Sequence, residues 1–445
     1  MSRIVCKFGG TSLADAGQFK KVRAILAADP RRSIVVPSAP GKRNPSDAKL
    51  TDLLYLCQKR AALGTPYAEP FGHVRGRLFE IERELGVDAK MAEHLGVLEH
   101  QLEQGASRDF VASRGEYLSG LLLAAYLEAE FVDPAHCVVL TAGGGVDPAT
   151  YALLAERLAD TSKRYVLPGF YGRDQTGQVT TFSRGGSDIS GAIVARAVGA
   201  ELYENWTDVS GLLMADPRIV PNAKPMQEVT YAEIRELSYM GASVLHDEGI
   251  SPVREVGIPI CIRNTNQPQH PGTRIVTTLS PEVEKATEIA GIAGKRAFAM
   301  ISLEKDLLNK EVGFVYRLLG ILDRHAVSFE HCPSSIDSVS VIIEVSQLEN
   351  KVEQVLSEIQ STLRPDKLEY TPQIALIAVV GEDMAKTVGI AAKLFAALRD
   401  ANVNVRLINQ GASELNIIVG VVPEDYERAV RALYAAFVTR EVARS

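Results

Sequence analysis

The chain has 445 residues, of which 46% are hydrophobic and 23% charged, and a formal net charge of −7. That length exceeds what one hydrophobic core serves, so it predicts two or three domains of an ordinary soluble globular protein. The acidic balance, with no long Lys/Arg run, argues against nucleic acid as the main partner, and no apolar run reaches the length of a membrane span. Cys6, Cys57, Cys137, Cys261 and Cys332 are irregularly spaced without a C-x-x-C pair, which excludes an obvious disulfide framework or zinc knuckle and fits a reducing compartment. With no basic-then-apolar leader before the first strand, a cytoplasmic location is predicted.

Residues 4–8 read as a buried strand ending in Gly9-Gly10-Thr11-Ser12, and helical spacing resumes over 19–28. Strand, glycine loop and helix is an arrangement that cradles phosphate, although Lys7 precedes the glycines instead of following them as in a P-loop. That order sets the ammonium beside the loop, near a phosphate held by the Gly9 and Gly10 amides. A tight turn with a solvated lysine is the plainer reading of this stretch alone. Residues 33–36 give a second strand, and a loop containing Ser38 leads to a helix over 53–62 that Thr51 or Asp52 can cap. Spacing from 69 to 130 is helical almost throughout, broken near Gly86 and Gly105. Inside it, Ser113-Arg114-Gly115-Glu116 sets charge beside an apolar run, so Glu116 either faces a site or is a solvated helical carboxylate.

Strands are predicted at 138–141, 165–168 and 201–205, with a hairpin over 174–181. After it, Phe182-Ser183-Arg184-Gly185-Gly186-Ser187-Asp188 opens an apolar helix over 189–198. The two glycines let backbone approach a ligand, Ser187 or Asp188 can cap the helix, and unpaired amides at its start favour an anion. Arg184 offers a planar fork to a carboxylate or phosphate; an ordinary capped turn with an exposed arginine is the alternative. Strands alternating with helices to about residue 276 predict an α/β fold with a largely parallel sheet flanked by helices. Ligands in such sheets sit at the carboxyl ends of strands, where residues 7–10, Ser38, Gly169 and Thr207-Asp208 all fall.

The polar stretch 264–273 leads to a different pattern. Strands at 297–303, 327–331 and 338–345 with helices at 312–325 and 348–363 are followed by the same order at 374–380, 387–401, 403–408, 415–421 and 426–437. Two β-α-β-β-α copies predict paired ferredoxin-like modules. The expected domains are 1–285 and 286–445, with modules over 297–371 and 372–445. The second copy runs out before its last strand, which residues 287–292 are expected to supply.

Lys7-Phe8-Gly9-Gly10-Thr11-Ser12, Arg184-Gly185-Gly186-Ser187-Asp188, Thr207-Asp208-Val209 with Asp216-Pro217-Arg218, and the doubled tail together resemble the aspartate kinase family. The resemblance implies the amino-acid-kinase fold followed by two ACT modules, with Mg-ATP phosphorylating the aspartate side-chain carboxylate on the way to lysine, threonine and methionine. It implies catalytic roles for Lys7 and Asp188, with Lys7 on the transferring group and Asp188 orienting it or the substrate. Arg184 would grip the α-carboxylate with Thr51 and Ser38, near Gly185 and Ser187, and Glu116 would meet the ammonium. Lys7, Gly9, Gly10, Ser12, Thr207, Asp208, Leu213, Asp216 and Arg218 would line the nucleotide, with no direct protein ligand to Mg2+. A carboxylate nucleophile is already ionised at neutral pH and requires no general base; charge repulsion with the nucleotide is what positioning and cations must offset.

This sequence departs from many relatives at Ser210, Leu213 and Ser243, where aspartate, an aromatic and a lysine are usual. The helical segment 69–104 is also longer than the family requires. In the tail, the resemblance implies an effector, lysine or threonine, near Leu308, Glu311, Phe314, Val315, Ser328, Glu330, Asn409, Gln410 and Glu414, and a homodimer or dimer of dimers through the ACT modules. Glu311, Phe329 and Glu330 differ from the lysine-sensing pattern. The competing readings are a kinase for glutamate or N-acetylglutamate, relatives of which lack the doubled tail, and a non-catalytic amino-acid sensor.

Overall fold

The computed structural model describes residues 2–182, 185–242, 247–286 and 288–439. Contacts divide the chain into two compact units, Met1–Leu212 with Pro225–Tyr231 and Val244–Ser280, and Leu213–Lys224 with Ala232–Ser243 and Pro281–Ser445. The division is discontinuous because the 213–224 excursion bonds to the tail. Ile292 N–H donates to the Met214 carbonyl (2.7 Å), Arg431 Nε to the Ile219 carbonyl (3.0 Å), and Lys224 N–H to the Tyr434 hydroxyl (2.7 Å).

The strands of the first unit are β1 (Ile4–Phe8), β2 (Arg32–Pro37), β3 (Glu130–Phe131), β4 (Tyr165–Val166), β5 (Tyr171–Arg173), β6 (Val179–Thr181), β7 (Leu202–Thr207), β8 (Glu228–Thr230), β9 (Ile260–Asn264) and β10 (Thr273–Val276). Eight of them form one sheet in the order β3-β4-β2-β1-β7-β9-β10-β8, parallel at every pairing except β9 with β10, while β5 and β6 make a separate hairpin. The helices in chain order are α1 (Ala16–Ala27), α2 (Leu50–Ala62), α3 (Ala68–Leu85), α4 (Met91–Glu103), α5 (Arg108–Leu127), α6 (Ala149–Arg157), α7 (Gly186–Ala197), α8 (Tyr231–Tyr239) and α9 (Asp247–Arg254). Among the described residues, no helix is long and apolar enough to cross a membrane.

Three local expectations fail. Residues 138–141 make only isolated bridges, Val139 to Arg173 and Leu140 to Val146, since the Val139 amide is taken by Thr150 Oγ1 at 2.9 Å. Helix α2 begins before Thr51 and Asp52, so its N-cap is Lys49 and no side chain caps it. The N-cap of α7 is Gly185 at φ 60°, a left-handed conformation that glycine adopts without strain, and neither Ser187 nor Asp188 caps that helix.

Helix α10 (Pro281–Ala286) precedes the regulatory strands of the second unit: β11 (Gly291–Glu304), β12 (Ser338–Glu344), β13 (Lys367–Val380), β14 (Leu407–Asn409) and β15 (Asn416–Val421). They form one antiparallel sheet in the order β12-β11-β13-β15-β14, with α11 (Phe314–Arg324), α12 (Val352–Leu363), α13 (Ile390–Asp400) and α14 (Tyr426–Tyr434). Strands β11 and β13, 14 residues each, serve both modules. Residues 298–304 lie against β12, whereas Gly291, Ile292 and Ala293 lie opposite Val380, Val379 and Ala378. Residues 327–331 do not form the expected strand; the only bridge there joins His331 to Ile342.

The first unit buries a charge network on one side of its sheet. Glu204 is 1% exposed, accepts from Arg32 Nε and Nη2 at 2.8 and 2.9 Å, from Arg263 Nη1 at 3.2 Å and from the Trp206 indole at 2.9 Å. Both guanidiniums lie over the Trp206 ring, which stacks on Phe8. Removing one partner of such a network strands the others without counter-charge. Glu204→Ala should therefore lower the unfolding free energy by about 3–5 kcal/mol, read from urea melts; a loss below about 1 kcal/mol would mean that water screens the two arginines.

Candidate active site

Strands β1 and β7 are paired with Lys7 opposite Asn205, so both side chains leave the same face of the sheet. The first turn of α7 brings Asp188 onto that face. Lys7 Nζ lies 2.6 Å from Asp188 Oδ1 and donates to Asn205 Oδ1 at 3.3 Å, and Asn205 Nδ2 donates to the same Asp188 oxygen at 2.9 Å. The lysine side chain is only 10% exposed and the aspartate 16%, so water screens this pair weakly. Tyr203 fixes the helix by donating its hydroxyl to the Asp188 carbonyl at 3.1 Å, and Gly191 leaves room for the phenol, since a Cβ there would stand 2.5 Å from its oxygen.

The glycine turn corrects one expected role. The Gly9 amide continues the strand ladder by donating to the Trp206 carbonyl at 2.9 Å and is not free for phosphate. A Cβ on Gly9 would stand 3.5 Å from the Trp206 carbonyl oxygen and 3.7 Å from Lys7 Nζ, both ordinary packing distances, so the turn lies directly beside the lysine. Gly10 allows two loops to touch: its Cβ would fall 2.9 Å from the Ala39 carbonyl oxygen, and one on Gly41 only 2.4 Å from the Gly10 carbonyl carbon. The Ser38 amide donates to the Phe8 carbonyl at 3.0 Å and the Gly41 amide to that of Gly10 at 2.7 Å, which ties this loop to the end of β1. Ser12, 2% exposed, is bonded through its hydroxyl to Thr265 at 2.7 Å and faces the interior.

From the loop the contacts pass to α5. Glu116 is 6% exposed, lies near the Ala39 backbone amide, and leaves Oε2 with no hydrogen-bond partner. Burial pushes its carboxyl up to about 8, against the smaller pull of that amide. Gly115 beside it permits this approach, its Cβ position lying 2.9 Å from Ala39 Cβ. Thr51 sits half-buried on the first turn of α2, next to Leu50, which borders the same Gly115 position. Ser187 packs on Gly169, where a Cβ would meet it at 2.8 Å. Arg184 lies outside the described residues, as does Ser243.

Thr207 and Asp208 follow β7, where Asn264 Nδ2 holds the turn by donating to the Asp208 carbonyl (3.2 Å) and to Ser210 Oγ (2.9 Å). Leu213, Asp216 and Arg218 belong to the second unit; Arg218, with its side chain 88% exposed, pairs with Asp216 at 2.6 Å and lowers that carboxyl below its usual range. In the regulatory sheet, the side chains of Leu308 and Phe314 are buried in the core of the first module, and Phe314 opens α11. Val315 packs partly against that core. Glu311 is engaged by Lys305 (2.7 Å) and Arg317, while Ser328 and Gln410 are exposed and Glu414 has φ 55°. Asn409 Nδ2 contacts His331 Nδ1 at 3.1 Å, next to Glu330, whose amide donates to the Ile342 carbonyl.

Two residues escaped the sequence reading. Asn205 carries no motif, and only the strand register reveals it. Arg77, in α3, is 5% exposed and donates to the carbonyls of Ala48 (3.0 Å), Ala14 (3.3 Å) and Gly41, so it joins the turn after β1 to the loop after β2. This gives the long helical segment a function that its sequence did not show.

The unit that holds this ammonium at a strand end, joined by packed loops to a buried carboxyl, belongs to the amino acid kinase family, whose model matches residues 2–264. An ACT domain model matches residues 377–437. The chain is 40% identical to aspartokinase 3 of Bacillus subtilis over 97% of this chain and 98% of that one. The crystal structure of Clostridium acetobutylicum aspartate kinase, 49% identical, superposes with a TM-score of 0.91 over 98% of this chain and all of that one. Escherichia coli aspartokinase III in complex with lysine and aspartate, 27% identical, gives 0.77 over 98% and 99%. The chain belongs to the aspartokinases. It is a kinase of the L-aspartate side-chain carboxylate, and produces 4-phospho-L-aspartate.

The loop contact is testable without touching a charged group. Gly41→Ala places a methyl against the Gly10 backbone and must displace one loop, so turnover should fall by on the order of 10- to 100-fold while the melting temperature stays within a few degrees. Turnover equal to that of the unaltered enzyme would show that the loops separate freely.

Proposed function

We propose that Lys7 is the cation on which the transfer turns, neutralising the γ-phosphoryl group as the aspartate carboxylate attacks it. The supporting observation is its placement: a nearly buried ammonium, held by Asp188 and Asn205, beside the Gly9 turn. Asp188 orients the ammonium. Arg184 binds the substrate α-carboxylate with help from Ser38 and Thr51, Glu116 pairs with the ammonium, and Gly185 and Ser187 shape the start of α7. Thr207, Asp208, Leu213, Asp216 and Arg218 contact the nucleotide, with Gly10 and Ser12 supporting the turn. Mg2+ would be carried by the ATP phosphates and would supply charge neutralisation there. The exposed carboxylate of Asp208 suits a hydrated, phosphate-borne ion. Residues 1–285 carry transfer and 286–445 regulation, in a reducing cytoplasm compatible with five free cysteines.

Glu116 also favours aspartate over N-acetylglutamate, because a buried carboxyl with an unpartnered oxygen is matched by an ammonium and not by an acetamide. Its titration gives the sign of a pH effect. Below about 8 the free enzyme holds the proton, and the substrate ammonium needs the carboxylate. The KM for aspartate should therefore fall as pH rises toward 8, by up to about tenfold per unit, and then level. A hydroxamate assay with Mg-ATP should give product with aspartate alone among aspartate, glutamate and N-acetylglutamate. Lys7→Ala should abolish it with the fold retained, and Glu116→Gln should raise the KM and flatten its pH dependence. Full turnover in Lys7→Ala would remove the proposed role.

Escherichia coli aspartokinase III has been solved with aspartate and ADP as well as with lysine and aspartate. We infer from this similarity that an amino-acid effector, lysine or threonine, binds near Ser328, Glu330, Asn409, Gln410 and Glu414, and that the ACT modules join subunits into a dimer or dimer of dimers. Calorimetry should give heat with one of the two amino acids, and heat with neither would dispose of the effector.

A further inference from the structure

We propose that Asn205 is a positioning residue for phosphoryl transfer: a neutral clamp that fixes how the Lys7 ammonium points. The inference rests on the reading of Lys7 as the transfer cation. An ammonium has three N–H donors and a carboxylate only acceptor oxygens, so the two alone form a pair free to swivel about one contact. Asn205 removes that freedom from both sides. Its Oδ1 accepts from Lys7 Nζ at 3.3 Å while its Nδ2 donates to the same Asp188 Oδ1 that the lysine contacts. These bonds permit one orientation of the amide, because the reverse would set its NH2 against the ammonium and its oxygen against the carboxylate. Two lysine donors are thereby occupied and the third is left for phosphate.

The clamp is rigidly mounted. Asn205 is 4% exposed, lies in the middle of β7 between β1 and β9, and is opposite both Lys7 and Ile262. An amide serves here where a carboxylate would not, since a second anion would stand within hydrogen-bond distance of Asp188.

Two variants of the full chain test this against Lys7→Ala. Asn205→Leu removes both bonds at similar volume; kcat should fall on the order of 10- to 100-fold with the KM for aspartate changed less than about twofold. Asn205→Asp keeps the acceptor for Lys7 but turns the donor into a carboxylate. Among the described residues its titratable neighbours are Lys7, Asp188 and the Tyr203 hydroxyl on the Asp188 carbonyl. Two adjacent carboxylates share a proton at lower pH, and the shared O–H restores the missing donor. The activity of Asn205→Asp relative to the unaltered enzyme should therefore rise as pH falls.

A purely structural asparagine would lower the melting temperature without that pH-dependent recovery and without separating kcat from KM. Unchanged kcat in Asn205→Leu, beside an inactive Lys7→Ala, overturns the clamp and leaves the role of Lys7 standing; an active Lys7→Ala overturns the reading beneath both. Should Asn205→Leu not fold, the pH profile of Asn205→Asp decides, and a ratio constant with pH rejects the proposal.

Discussion

A lysine ammonium that is nine-tenths covered is tolerated only beside a counter-charge, and the catalytic unit is arranged to provide one. Lys7 comes from the end of the first strand and Asp188 from the first turn of a helix 181 positions later, so the ion pair can exist only when β1, β7 and α7 are all in place. The cost of leaving either charge unpaired makes the pair a condition on the fold. Gly191 and Tyr203 serve this condition, since the close seating of α7 on β7 carries Asp188 to the lysine.

Strand register separates this pair from a second buried charge system one residue away. Along β1, Cys6 and Phe8 face the core that contains Trp206, while Lys7 faces the opposite side; along β7, Glu204 and Trp206 alternate with Asn205 in the same way. One side holds Glu204 between Arg32 and Arg263 and is sealed by stacked aromatics. The other holds Lys7 between Asp188 and Asn205 and borders an open turn. A slip of β1 by one residue would carry Lys7 toward the two arginines, and a slip of β7 would instead carry Glu204 toward Asp188, so either one juxtaposes like charges. The two networks therefore specify the pairing between β1 and β7 more sharply than the apolar pattern of either strand.

Much of this was legible in the chain itself, for physical reasons that also mark where reading stops. Strand, glycine turn and helix at residues 4–28 announce their geometry through local rules, as do the doubled modules after residue 290. Helix caps were misread at Thr51 and Asp188 because a capping residue and a site residue have the same chemistry; Asp188, free of capping, is available to Lys7. The isolated bridges at 138–141 and the missing strand at 327–331 show the limit of β propensity, which reports a side chain's fit to a pleated surface and not whether a partner strand is present. Asn205 and Arg77 were invisible because their partners are set by register and by tertiary packing.

Arg77 shows what such packing adds to a motif. Residues 9–14 and 37–48 follow β1 and β2; Leu13, Ala14 and Ala39 anchor them in the interior, while residues 42–49 are polar and mostly exposed. Van der Waals contact between Gly10 and Gly41 requires them to lie together but supplies little attraction. A guanidinium can donate to several carbonyls at once, and when buried it must do so or remain unsolvated. Drawing the Ala14, Gly41 and Ala48 carbonyls to one guanidinium ties the two segments into one surface. That surface seats the loop carrying Ala39 against Gly115, beside Glu116, and against the turn that follows Lys7, so Arg77, which belongs to no recognisable motif, helps fix the spacing between Glu116 and Lys7.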